Sequence, residues 1–229
     1  MRFLLAFLFA MTLGFADQID DFDSEFSDKN EIYDPISGYN KIMTNVNDVV
    51  YEYAFEPVIK GYKHVVPTPY RTAFYNVFDN LMYPIRLVNN LLQFKFKNAG
   101  EETLRFVANT IVGFAGVSDV ASKHYGLEKH DEDFGQTLGH WGFGSGFHIV
   151  WPILGPSNFR DTIGGVADYF TNPLSYVKPS ELSMGLNAFS MLNDYSLEIP
   201  YSEFKKDAIE LYPFLRDAYE QRRDYLIKE

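Results

Sequence analysis

Apolar positions recur at helical spacing along most of this chain. Ile42, Val46, Val49, Tyr53 and Pro57 follow one another at steps of three and four, which predicts a helix with an apolar stripe. Asp34-Pro35 supplies its start signal, and Gly61 with the Pro67 and Pro69 pair is expected to close it. A second helix is predicted over 70–82, with Pro84 breaking or kinking the chain before 85–94. A third is predicted over 101–114, with Glu101 and Glu102 at its N-terminus, where the helix dipole favours acids. Its body, LRFVANTIVGFAGV, is apolar almost all round. It has about 14 residues against the roughly 20 that span a bilayer upright, so it must be buried in protein or lie partly in lipid. SDVASKH makes a short helical turn. NFRDTIGGVADYF has helical spacing through Phe159, Ile163, Val166 and Phe170 and ends at Pro173. ELSMGLNAFSMLNDY makes another short helix. The tail, 201–229, reads as a charged amphipathic C-terminal helix with Ala208, Leu211, Leu215 and Ala218 on one face and a kink at Pro213. No strand-like alternation is sustained, and no internal repeat is visible. The expected fold is therefore all-α: many short amphipathic helices broken by Pro and Gly in a single domain. Such helices suit a ring- or disc-like object better than a tight bundle. In one, apolar faces can lie in a membrane interface while polar faces stay wet.

The N-terminus adds a compartment. MRFLLAFLFAMTLGFADQ carries one positive charge at Arg2, an apolar run from Phe3 to Phe15 and small residues at Gly14 and Ala16. This is the pattern of a secretory signal peptide, residues 1–16, cleaved after Ala16. The sequence contains no cysteine, which excludes disulfides, thiolate metal sites, cysteine nucleophiles and cysteine-linked lipid. Acids crowd the next segment, and 17–33 reads as a solvated, disordered acidic arm. The formal charge is −11, and −12 once Arg2 leaves with the leader. That argues against a sequence-general nucleic-acid binder, which needs a basic face. It argues equally against attraction to anionic lipid by charge alone. Aromatic residues make up 17% of the chain; they suit either a core or the boundary between water and hydrocarbon.

Candidate chemistry gathers in HDEDFGQTLGHWGFGSGFHIVWPILGPSNFRD, residues 130–161. Ser145 lies in GFGSGF, where Phe143 and Phe147 occupy the glycine positions of a nucleophile elbow, so that pattern fails. Gly142, Gly144 and Gly146 give G-x-G-x-G with no preceding strand, which is not a dinucleotide loop. His124, His130, Asp131, Glu132, Asp133, His140 and His148 could hold a metal by composition, but no H-x-x-x-H or H-E-x-x-H spacing occurs. The plainer reading is a polar loop at a water-facing rim. No metal and no cofactor is expected. Arg105, Asn109, Arg160 and Asp161 fall inside apolar segments. Buried charge must be paired or wet, so these residues either brace helices or line a hydrophilic path. Gly135, Gly139, Gly142, Gly144 and Gly146 punctuate Phe134, Trp141, Phe143 and Phe147. Glycine frees the backbone, so this reads as a flexible hairpin with apolar anchors: a packed loop, or a gate beside a lipid path.

Several blocks resemble one known family. DPISGYN (34–40), EPVIKGYKHVVPTPYR (56–71), PIRLVNNLLQFKFKNAGEETLRFVANTIVGFAGVSDVAS (84–122) and the 130–161 block are similar to the motifs of the MlaA (VacJ) family. The match runs from about Asp34 to Val177, and the C-terminal tail carries no matching motif. The resemblance implies a helical domain over 34–200 with a central, mostly hydrophilic channel. It implies a place at the inner leaflet of the Gram-negative outer membrane. There the protein would remove mislocalised phospholipid from the outer leaflet and pass it to a periplasmic lipid carrier of the Mla type, beside an outer-membrane porin trimer. That is transport without covalent chemistry, so no catalytic residue is expected. A non-conducting structural or porin-associated envelope protein is the alternative, and a secreted metal-dependent hydrolase a third. The carried-over positions, as channel-lining or bracing candidates, are Asp34, Pro35, Gly38, Asn40, Asn89, Asn90, Arg105, Asn109, Asp119, Asp131, Arg160 and Asp161. The gating candidates are the glycines and aromatics of 134–147. This chain departs from the family pattern twice: the lipobox cysteine is absent, and Phe147-His148 stands where the family has Pro-Tyr.

Overall fold

Prolines open the helices of this chain more often than they break them. The computed structural model describes residues 32–229, so the expected signal peptide and residues 17–31 of the acidic arm lie outside the described residues. From Asp34 onward the chain forms one unit. Helix α1 (Ser37–Val50) runs through a π-helical turn (Tyr51–Phe55) directly into α2 (Glu56–Val65). Helices α3 (Thr68–Leu81), α4 (Tyr83–Leu92) and α5 (Phe96–Ile111) follow, then the short α6 (Val120–Tyr125) and α7 (Phe134–His140). Strands β1 (His148–Trp151) and β2 (Gly155–Asn158) form an antiparallel hairpin with His148 opposite Asn158. Helices α8 (Phe159–Thr171), α9 (Ser180–Leu197), α10 (Tyr201–Phe204) and α11 (Leu211–Lys228) complete the order. Pro57, Pro69 and Pro84 all sit in first turns, where a missing N–H leaves no bond unmade.

The all-α expectation holds, with a hairpin that periodicity missed because its strands are four residues each. Other expectations need correction. Gly61 lies inside α2 and does not close it; the helix ends at Val65. Helix α5 begins at Phe96, so Glu101 and Glu102 are not at its N-terminus, and Glu102 is fully buried in a charge network. Residues 134–140 of the supposed glycine hairpin are helical, and the true hairpin starts at His148. The tail is not one kinked helix: α10 and a 3₁₀ turn precede α11, and Pro213 stands in the first turn of α11.

The largest surprise is which face of each helix turns inward. Ile42, Val46, Val49 and Tyr53 form the apolar stripe of the first helical run, and all four are exposed. Asn40, Thr44 and Asn47 are the buried residues of α1. Helix α5 repeats the pattern: Leu104, Val107 and Ile111 face out, while Glu102, Arg105 and Asn109 face in. So does α8, with Phe159, Ile163, Val166 and Phe170 outside and Arg160 inside. Among the described residues, eight apolar side chains are buried against twenty-one polar ones. Globular interiors in water show the opposite bias.

Candidate functional site

A polar interior is stable only if its groups are partnered. Three connected networks meet that demand. In the first, Arg86 Nε donates to Glu102 Oε2 at 2.6 Å and Arg86 Nη1 to Asp79 Oδ1 at 3.3 Å. Glu102 Oε1 accepts from the His130 backbone N–H at 2.7 Å, and Arg105 Nε approaches it at 3.7 Å. Arg105 Nη1 also donates to the Leu127 carbonyl at 2.6 Å. Asn109 donates to Asp119 at 3.0 Å and accepts from the Ala121 N–H, so it holds α6 against α5. In the second, Asn89 donates to Asp168 at 2.9 Å and accepts from the Thr137 hydroxyl. Asp168 in turn accepts from the Phe134 N–H, and Asn90 donates to the His130 carbonyl. These bonds tie α4, α7 and α8 together.

The third network is a clasp made by α11. Arg223 donates to both oxygens of Asp133, at 2.6 and 2.8 Å, and its Nε lies 2.8 Å from Asp161 Oδ2. Tyr219 donates to the same Asp161 oxygen at 2.9 Å, and Arg160 Nε to the other at 3.0 Å. Burial by itself would push the Asp133 carboxyl up, but the Arg223 guanidinium reverses this and holds it below the usual range. One turn away, Glu220 lies 2.8 Å from His148 Nδ1 and accepts from Asn158 at 3.1 Å. Tyr212 donates to Asp34. Glycine makes the close approach possible. A Cβ on Gly164 would stand 2.4 Å from the Gly135 nitrogen, and one on Gly139 would stand 2.6 Å from Ile227 Cδ1. So the tail binds the entry segment, the hairpin and α7–α8 at once.

Helix α1 covers the exposed edge of β1 with amide side chains. Asn40 donates to the His148 carbonyl at 3.0 Å and accepts from the Val150 N–H at 2.8 Å. Two turns later Asn47 does the same for the Trp151 carbonyl and the Ile153 N–H, at 2.8 and 2.7 Å. Each amide thus stands in for one residue of a neighbouring strand, which removes an unpaired edge. Beside this contact lies a cavity of about 810 Å³, walled by α1, the π-turn, α2, the hairpin, the end of α9 and α11. π-turns concentrate at functional sites, and Tyr51 and Phe55 of this one both line the cavity.

Of the candidate residues named from sequence, His148 lines that cavity, and none of the channel-lining, bracing or gating candidates does. Asn40, Asn89, Asn90, Arg105, Asn109, Asp119, Arg160 and Asp161 stand in the bracing networks, joined by Asp34, which also accepts from Asn40 at 2.8 Å. Asp131 is exposed and pairs with Lys129 at 3.0 Å; Pro35 and Gly38 are exposed. Trp141 donates from its indole to the Leu92 carbonyl at 3.2 Å, Phe143 points outward, and Phe147 stacks on Phe159. Gly142 has a φ of +87° and, like Gly144, open space around its Cα. Among the described residues no cluster of His, Asp and Glu suited to a metal occurs. Sequence reasoning missed Arg86, Glu102, Glu220 and Arg223. A usable signal existed in α11, where Tyr212, Arg216, Tyr219 and Arg223 form a polar stripe at steps of three and four.

Among the described residues, the half-buried Asp194 carboxyl has one oxygen, Oδ1, without a partner. Burial first, then the nearby Glu198 and Asp79 charges, push its pKa from 3.8 to about 6. The folded state therefore binds the proton more tightly than the unfolded chain, and stability falls as pH rises from about 4 through 6. Asp194→Asn should raise the thermal midpoint at pH 8 and lose that advantage at pH 4. Equal midpoints at pH 8 would place this carboxylate in contact with water.

The family model described as MlaA lipoprotein matches residues 32–226. The intermembrane phospholipid transport system lipoprotein MlaA of Escherichia coli (strain K12) is 32% identical over 208 residues, 89% of this chain and 82% of that protein. Its namesake in Haemophilus influenzae is 28% identical, covering 99% and 90%. An uncharacterised protein of Rickettsia typhi is 31% identical, covering 85% and 78%. A solved structure described as the structural basis for maintenance of bacterial outer membrane lipid asymmetry aligns with a TM-score of 0.75 at 29% identity, covering 85% of this chain and 98% of that one.

Proposed function

This chain belongs to the MlaA lipoprotein family, and from that premise we propose that it is a phospholipid-transport component of the bacterial outer membrane. In this reading it sits at the periplasmic face, takes mislocalised phospholipid from the outer leaflet and passes it to a soluble periplasmic carrier, next to a porin trimer. The observation that carries the reading is the inverted polarity of the helices. Apolar stripes facing out gain nothing in water but are favourable in lipid, and polar faces turned inward can flank a headgroup path. No helix among the described residues is long and apolar enough to cross a membrane, which agrees with helices lying in one leaflet. The Escherichia coli and Haemophilus influenzae relatives are named lipoproteins, whereas this sequence has no cysteine. We assign its attachment to the exposed apolar surface, after export by the leader at 1–16.

Ile111 and Phe114, exposed by 75% and 82%, are the most outward apolar residues at the end of α5. Replacing both by Asp should move the protein from the outer-membrane fraction to the soluble fraction and abolish co-purified phospholipid, with its helical circular dichroism unchanged. A wild-type protein that fractionates with the membrane yet neither carries nor transfers phospholipid would favour the non-conducting envelope reading instead. The gating role of 134–147 is read in the same transfer assay. Bulky side chains at Gly142 and Gly144 should alter transfer; unchanged transfer with a retained fold leaves the segment as architecture.

A further inference from the structure

We propose that the cavity between the π-turn and α11 is a phosphodiester site that favours lipids of net negative headgroup. The inference rests on the transport reading and gives it a place and a preference. The cavity has the size of a small-molecule pocket, at the upper end of the roughly 300–1,000 Å³ such sites occupy. Its walls supply what an amphiphile needs. Phe55, Ile59, Leu154 and Leu215 form an apolar lining. Tyr51 is anchored by donation to the Ile153 carbonyl at 2.8 Å and stacks near Tyr201, so the wide turn is held open.

Charge decides the headgroup. Four cations line the cavity, Lys60, Lys63, Arg216 and Arg222, against two carboxylates, Glu56 and Glu198. Glu56 is matched by Lys60 at 3.1 Å, and Arg216 is held by Asp217 at 2.7 Å. Among the described residues no ion pair engages Lys63 or Arg222. Lys63 and Arg222 thus face the apolar space with only Glu198 against them, a local excess of positive charge in a chain whose overall charge is −11. General attraction cannot bring an anion to such a protein; a local pair of cations can. A phosphodiester satisfies them. A headgroup with its own ammonium returns a positive charge to the same place, and one with only hydroxyls does not.

The test uses the full chain, stripped of lipid in a neutral detergent. Phosphatidylglycerol, phosphatidylethanolamine and phosphatidylcholine of identical acyl chains are titrated in turn and occupancy is read by native mass spectrometry. Phosphatidylglycerol should bind about three- to tenfold more tightly than the other two, as expected of two partly exposed charge contacts, and the preference should shrink as salt rises. Lys63→Gln with Arg222→Gln should erase the preference, bringing the phosphatidylglycerol affinity down to that of the two zwitterionic lipids. Neither residue holds a structural partner, so the variant should keep its helical spectrum. Equal affinities in the wild type, or a preference that survives the double substitution, overturn the inference and leave the transport reading standing. Binding of no lipid at all overturns both. Displacement of phosphatidylglycerol by millimolar inorganic phosphate would mark the site as one for a free anion and overturn its assignment to lipid.

Discussion

Glu102→Ala should destabilise the protein by about 3–5 kcal/mol, the cost of removing one partner from a buried ion pair. Glu102 is fully buried. It holds Arg86 at 2.6 Å and faces Arg105, while its second oxygen takes up the His130 N–H. Truncation leaves a guanidinium short of its counter-charge and a backbone donor unsatisfied, in a place water does not reach. Asp79 and Asp119 keep contacts with the two arginines, which sets an upper bound on the damage. Glu102→Gln keeps the shape and one acceptor and should lose less. Chemical denaturation in one detergent measures both variants. A loss under about 1 kcal/mol for Glu102→Ala would mean that water enters this network, and the bracing role assigned to α4–α5 would fall.

Gly164→Val should rank beside it. A Cβ there would stand 2.4 Å from the Gly135 nitrogen and 2.7 Å from its Cα. The obstacle is backbone, which cannot rotate away, so α7 and α8 must separate. The separation pulls on Asp133 and Asp161, both held by Arg223. The expected loss lies at or above the top of the roughly 1–3 kcal/mol found for overpacked cores. Gly165 is the internal control: nothing lies within 4 Å of its added Cβ. Gly165→Ala should stabilise α8 by roughly 0.5–1 kcal/mol through helix propensity. Equal effects at the two neighbours would show that the α7–α8 crossing is not a close backbone contact.

The helices were legible because their periodicity is local. Predicted boundaries near 70–82 and 158–170 agree with α3 and α8 to within about two residues, the ordinary uncertainty of helix ends. The hairpin was not legible. HIVW and GPSN are too short for alternation, and β1 is completed by Asn40 and Asn47, more than 100 positions earlier in the chain. The bracing residues were half legible. Arg105 and Asp161 attract notice as charges in apolar surroundings, whereas Glu220 sits in a charged tail where one more charge means nothing and Arg223 shows there only through its spacing from Tyr212, Arg216 and Tyr219.

By itself the sequence determined where this chain is helical, that the protein is acidic and has no cysteine, and which family its motifs resemble. Hydrophobic spacing also marked one face of each helix as different from the other. It could not say which face turns inward, because periodicity has a phase but no sign: a stripe that seals a core in water and a stripe that meets lipid look alike. Only the tertiary structure supplied the sign, by setting Asn40, Glu102 and Arg160 inside and Ile42, Ile111 and Phe170 outside. It alone brought the tail onto the entry motif and the hairpin, since ion pairs such as Arg223–Asp133 join residues 90 positions apart. Long-range pairing of charges is a property of the folded arrangement, and no window along the chain contains it.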